Sequence, residues 1–226
     1  MSTAPPRQFA NRREAGRELG AALGKLELRP PVVVLGLARG GLPVASEVAD
    51  ALSARLDVLA VRKIGMPGEA ELAVGAIAAG DVTVRHPPPG SPIELSAQDF
   101  AALERRERSE LERRERLYRA GLPPLELTGS TAVLVDDGLA TGATMLAAIR
   151  AARRAGARVV IVAVPVASGE AAALVRPECE RLVVLQTPGY FYAVGQWYRD
   201  FSQVEDAEVC RLLAARRTAQ PHGRTG

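Results

Sequence analysis

The sequence predicts an α/β fold, with a mostly parallel central sheet and helices on both of its faces. Three observations predict it. Short apolar runs rich in β-branched residues, such as Val32–Leu37, Thr131–Val135 and Arg158–Val164, read as fully buried strands. Helical patterns separate these runs, and a repeated strand–helix–strand order calls for parallel pairing. Gly-rich turns join strand ends to helix starts after Leu35 and after Val135, at the sheet edge where α/β ligand sites form.

Composition bounds the rest. The chain has 226 residues, 47% hydrophobic and 24% charged, which is globular composition. Its length suits a single domain over residues 1–217, with a polar tail at 218–226 expected to be disordered. The net charge of +3 is mildly basic; it favours a phosphorylated ligand without implying nucleic acid. Lys25 and Lys63 are the two lysines. Cys179 and Cys210 fit neither a metal spacing nor a disulfide framework, so a reducing, cytoplasmic setting is expected. No apolar run approaches the ~18 residues of a membrane span.

The elements follow in order. Asn11-Arg12-Arg13-Glu14 spells a capping box that opens a helix with Ala15, Leu19, Ala22, Leu23 and Leu26 inward. Gly24 ends it, and Arg12 and Arg13 read as solvated. Val32–Leu37 is the first core strand. After Gly36-Leu37-Ala38-Arg39-Gly40-Gly41, Pro43 marks a first helical position. Val44, Val48, Leu52 and Leu56 form that helix's buried face, and Asp57–Arg62 is the next strand, parallel to the first. From Val61 to Leu72, two cations run into Gly and Pro residues, which reads as a mobile loop. Ala73–Ala79 and Asp81–Arg85 pair as strands around Gly80. Ser96 and Asp99 cap a long helix over about 96–119, an excursion with a sparse apolar edge of Phe100, Leu103, Leu111 and Tyr118. The rest of that helix is Arg and Glu, often at i,i+4, as on a solvated face covering the sheet. The helix from Met145, the strand 158–164, a helix from Ser168, the strand Arg181–Gln186 and a last helix over Glu205–Arg217 complete the core. Six of the nine aromatic residues fall within Tyr190–Phe201. That density suits a surface for a planar ligand, a hydrophobic lid or a subunit interface.

One stretch carries chemistry: Thr131 to Thr144, TAVLVDDGLATGAT. Asp136 and Asp137 follow a strand; a small-residue, hydroxyl-bearing loop then enters a helix. Unpaired N–H groups at a helix N-terminus hold a phosphate, and glycines admit the anion closely. Two carboxylates beside a phosphate suit sugar hydroxyls or Mg²⁺. The lysine of a P-loop and the G-x-G-x-x-G of a dinucleotide fold are both missing.

Strand, two acids, three residues, then T-G-x-[ST], with Asp136, Asp137, Thr141, Gly142 and Thr144 in register, resembles the phosphoribosyl-diphosphate (PRPP) motif of the type I phosphoribosyltransferases. Ala38-Arg39-Gly40 resembles that family's pyrophosphate loop, and the Lys63 segment resembles its flexible catalytic loop. The resemblance implies the family's fold with a small hood, placed here at about 187–201. It implies transfer of phosphoribose from PRPP to a nucleobase-like acceptor, with Mg²⁺ as cofactor. It assigns the 5′-phosphate to Gly138, Leu139, Ala140, Thr141, Gly142, Ala143 and Thr144, and pyrophosphate to Ala38, Arg39, Gly40 and Gly41. Catalysis falls to Asp136, Asp137, Arg39 and Lys63, with Asp136 and Asp137 reaching the metal directly or through water. The base falls to Tyr190, Phe191, Tyr192 and Trp197, with Gln196 and Asp200 as hydrogen-bonding groups. Either Glu69 or Glu71 would meet the base or the loop. A homodimer is in keeping with the family; membrane and nucleic-acid partners are not expected. The acceptor stays open, and a non-catalytic PRPP- or nucleotide-binding regulator on the same fold is the alternative.

Overall fold

The computed structural model describes residues 6–66, 69–86, 95–120 and 122–219, with the side chains of 69–72 and 217–219 outside that description. Seven strands form one sheet: β1 (Val32–Ala38), β2 (Arg55–Met66), β3 (Glu69–Ala78), β4 (Val82–Arg85), β5 (Thr131–Val135), β6 (Val159–Val166) and β7 (Arg181–Gln186). Their order is β4-β3-β2-β1-β5-β6-β7. The five strands from β2 to β7 in that order are parallel, and β3 and β4 add an antiparallel edge. The mostly parallel sheet expected from the alternation of elements is therefore present.

Both faces are covered, as near-continuous apolar strands require. Helices α1 (Arg12–Leu23), α2 (Gly41–Ala51) and α6 (Asp206–Ala219) pack on one face around Val34, Val133 and Ile161. Helices α4 (Ala143–Arg154) and α5 (Gly169–Val175) cover the other around Leu35, Leu134 and Val162. Helix α3 (Ala97–Tyr118) lies over the β2–β3 hairpin, its Phe100 and Leu111 buried against Ala60, Ile64 and Ile77. It is the cover on the sheet that its sparse apolar edge predicts.

Local chemistry fixes the ends. Asn11 Oδ1 accepts from the Glu14 N–H at 3.0 Å, and Glu14 accepts in return from the Ala10 N–H. Ser96 Oγ accepts from the Asp99 N–H at 3.1 Å to start α3. Gly142, at φ +83°, caps α4 in the left-handed region that glycine enters without penalty.

Several boundaries differ from expectation. Helix α2 opens at Gly41, so Pro43 is its third residue, and Leu56 lies on β2 rather than on the helix face. Helix α4 opens at Ala143 rather than Met145, and α6 runs on to Ala219. The largest difference is the stretch expected to be a mobile loop. Strand β2 runs through Lys63 to Met66, and β3 returns from Glu69. Gly65 sits at a register shift between the two strands. The glycine marks a β-bulge inside a hairpin, a role that resembles loop punctuation in sequence. The side chains of Glu69 and Glu71 lie outside the described residues, as do residues 220–226 of the expected tail.

Candidate ligand-binding site

The C-terminal ends of β1 and β5 are neighbours, so the two Gly-containing turns meet. Their contact is close. A side chain on Gly40 would run into the Asp137 carboxylate, and one on Gly41 would come within 3.0 Å of Asp136 Cα. The Ala38–Gly41 loop is thus packed directly on the acid pair, and two glycines permit the approach.

Successive residues past β5 turn different ways. Asp136 faces a cavity of about 610 Å³, lined also by Ala38, Lys63 and Thr144. Asp137 instead accepts a hydrogen bond from Arg12 Nε at 2.8 Å; that side chain is 11% exposed and the carboxylate 14%. The Asp137 backbone carbonyl accepts from the Tyr198 hydroxyl at 2.6 Å. Burial raises the carboxyl pKa of both acids, and the Asp137 charge raises Asp136 further; Arg12 offsets part of the rise at Asp137. A buried acid pair short of counter-charge is suited to hydroxyl donors or a cation.

The loop after the acids divides by role. Leu139 is buried; its N–H donates to Val166 O at 2.9 Å and its carbonyl accepts from Ser168 N at 2.9 Å. Its own polar groups are therefore spent on anchoring the loop. Gly138 is pressed against Val194, where an added Cβ would lie 2.6 Å from Cγ1. Ala140 and Thr141 are exposed, Gly142 and Ala143 are buried, and Thr144 is half-buried at the start of α4. The first-turn N–H groups of α4 open at this point, where a helix has no internal acceptors for them.

The cavity's far wall comes from β2 and α3. Besides Lys63, it carries Arg62, Arg106, Glu107 and Arg114. Arg62 Nε donates to Glu107 at 2.8 Å, and Arg114 Nε to Glu110 at 2.7 Å. Arg39 is not among the residues that line this cavity. Its guanidinium lies 3.7 Å from Glu205 and 3.7 Å from Asp206, at the start of α6.

The aromatic stretch separates into two parts. Tyr198 is buried with Phe9 and Ala15, and Phe201 stacks on it at 5.1 Å between centroids. Tyr190 and Tyr192 are 77% and 83% exposed. Phe191 stacks on Trp197 at 6.5 Å. The Trp197 Nε1 donor is buried with no hydrogen-bond partner in the structure. Gln196 is used locally, its Oε1 accepting from Tyr192 N and Ala193 N. Asp200 accepts from Ser202 N and Oγ.

Sequence reading missed Arg12, expected to be solvated, and the α3 wall. Arg106, Glu107 and Arg114 share a helix face with Leu103, and that seven- to eight-residue spacing was available as a signal. Nothing local in the sequence pointed from Arg12 to an acid 125 residues away. Among the described residues no helix is long and apolar enough to cross a membrane, and no three His, Cys, Asp or Glu side chains are grouped to hold a metal.

A mostly parallel sheet with an acid pair and a glycine-rich helix entry at its strand ends defines an α/β protein with a candidate ligand site at the strand ends. The model of the phosphoribosyl transferase domain matches residues 19–191, and the chain belongs to that family. Two Mycobacterium tuberculosis proteins, from different strains and both carrying provisional phosphoribosyl transferase names, are 46% identical over 205 residues, covering 91% of this chain. The chain spans 46% of their length. A crystal structure of a Thermus thermophilus protein is 42% identical with a TM-score of 0.76, over 92% of this chain and 98% of that one. A Neisseria gonorrhoeae protein solved with bound ppGpp shares the fold alone, at 13% identity and a TM-score of 0.50, over 95% of this chain and 99% of that one.

Proposed function

We propose that this protein transfers the 5-phosphoribosyl group of PRPP to a nucleobase-like acceptor and releases pyrophosphate. One observation carries the reading: the acid pair lies between a cation-bearing cleft and an aromatic segment. The cleft side holds Lys63, Arg62, Arg106 and Arg114. The aromatic side reaches the acids through Tyr198 and Val194. A donor with an anionic leaving group and a planar acceptor would occupy those two sides.

In this reading the first turn of α4, with Thr141 and Thr144, holds the 5′-phosphate. Asp136 meets the ribose hydroxyls, and the pyrophosphate lies toward the Ala38–Gly41 loop, with Lys63 from β2. As the sugar carbon parts from pyrophosphate and bonds to the acceptor nitrogen, positive charge grows at the sugar and the acceptor gives up a proton. Asp136 stabilises that charge electrostatically, and positioning supplies much of the remaining acceleration. The residues present fit Mg²⁺. A buried acid pair short of counter-charge would hold it at Asp136, and at Asp137 through water. An ion that retains waters and substrate phosphates needs no larger protein cage. When bound, it would neutralise charge on the pyrophosphate.

The reading is tested by titrating PRPP calorimetrically, with and without Mg²⁺, into wild type and Asp136→Asn, then following pyrophosphate release across a panel of bases. Mg²⁺-dependent binding, weakened roughly tenfold or more in the variant, is expected. Binding without release for any base would point to a regulator. No binding of PRPP to wild type would overturn the reading.

A further inference from the structure

Arg12 makes three contacts at once. Its Nε donates to Asp137 Oδ2 at 2.8 Å, its Nη1 donates to the Ser202 carbonyl at 2.8 Å, and its guanidinium lies 3.9 Å from the centre of the Phe201 ring. The side chain is almost enclosed, so these contacts are made with little competition from water. The neighbouring Arg13 differs in each respect: it is half-exposed and meets Glu47. A second bridge runs parallel, the Tyr198 hydroxyl donating to the Asp137 carbonyl. Phe9, next to α1, donates its N–H to the Trp197 carbonyl at 2.8 Å and packs on Tyr198.

We propose that Arg12 is a positioning residue that locks the acid pair and the aromatic segment 194–202 into one unit. This deepens the transferase reading and rests on it for the ligand's identity. The division of labour follows from geometry. Asp137 is committed to Arg12 and lies against Gly40, while Asp136 faces the cleft. Arg12 therefore acts through Asp137, setting the height of the loop that carries Asp136 and the position of the segment that would flank the acceptor. Moving either end of the bridge displaces the other, because one planar guanidinium serves both.

The test compares Arg12→Gln, Arg12→Lys and Arg13→Gln with wild type, using backbone hydrogen exchange without ligand and calorimetry with PRPP. Circular dichroism establishes that each variant is folded; if Arg12→Gln is not, Phe201→Leu removes the ring contact in its place. The expected result is faster exchange in Arg12→Gln at both 136–139 and 194–202, with the rest of the sheet unchanged. PRPP affinity should fall roughly tenfold, the usual scale for a group that orients a ligand-contacting side chain. Arg12→Lys, with the charge but not the planar fork, should recover part of that loss, and Arg13→Gln should match wild type. The emission of Trp197, the chain's single tryptophan, should shift in Arg12→Gln alone. Exchange confined to α1, or equal effects from Arg12→Gln and Arg13→Gln, would overturn the proposal. If wild type shows no PRPP affinity but the coupled exchange persists, the transferase reading fails and the locking role stands.

Discussion

Asp136 carries a cost that its proposed role would explain. Its buried carboxyl is held above the ordinary value of 3.8 by burial and by the charge of Asp137. The folded protein therefore keeps that proton to a higher pH than the unfolded chain does. Stability falls as pH rises from the ordinary carboxylate range through the raised value. Asp136→Asn removes the buried charge and should stabilise the ligand-free protein by about 1 kcal/mol at neutral pH, a common gain where a site residue is neutralised. Thermal melts from pH 4 to 8 check this: the gain should vanish at the acid end, and a pH-independent gain would assign it to packing. The acid pair was legible in sequence because the two residues are adjacent and a glycine-rich loop follows them. Arg12 was not legible, since a charged residue in the first turn of a helix carries no periodic signal. Arg39 shows the same limit from the other side: its place in the loop was readable, but its rest against Glu205 and Asp206 depends on how α6 returns.

Among the elements, α3 shows how an almost uniformly charged helix can be built into a fold. Three side chains, Phe100, Leu111 and Tyr118, supply its buried contact, and ion pairs organise the remainder. Arg108 donates to Glu104 at 2.6 Å, and Arg113 Nε to Glu110 at 2.7 Å. Hydrogen bonding from Arg113, with Arg114 adding to it, lowers the Glu110 pKa from 4.5 to about 2. The unfolded chain binds that proton first, so the contribution is present above 4.5 and is lost as pH falls toward 2. Arg113 is half-exposed and Glu110 partly so, so screening by water keeps the contribution small. Urea midpoints for wild type and Glu110→Gln should differ slightly at neutral pH and converge near pH 2; a constant gap would mean that Glu110 acts by packing. The charge pattern, the cap at Ser96 and the apolar edge were all readable beforehand. The hairpin beneath α3 was only half readable, because Gly65 and the Pro-Gly that follows Met66 mark a turn without saying that the flanking residues are paired. That pairing depends on β3 residues such as Gly75 and Ala76.

At the scale of the whole molecule, residues near the two ends of the described chain are stitched together. Phe9 is fully buried against Tyr198, Gln8 donates to the Gln196 carbonyl at 2.8 Å, and Arg7 N–H donates to Gln186 Oε1 at 2.6 Å. Phe9→Ala should cost about 3 kcal/mol, as loss of a buried ring does. Chemical denaturation measures that cost, and a loss well under ~1 kcal/mol would show that the segment is not held by its ring. The sheet order was predictable in kind from alternating elements; this stitching was not, because no pattern within either segment names the other.

The Arg12 bridge also bears on the order in which the molecule is completed. Its contacts join residues 125 and 190 positions apart. Bringing such distant segments together carries a larger loop-closure cost than neighbouring elements incur. During synthesis, Asp136 and Asp137 leave the ribosome with Arg12 already outside, but Ser202 and Phe201 follow more than sixty residues later, about 3–13 s at ordinary elongation rates. For that interval the nascent chain carries its two acids without the aromatic segment that packs beside them, so the candidate site is completed well after the strand that bears its acids.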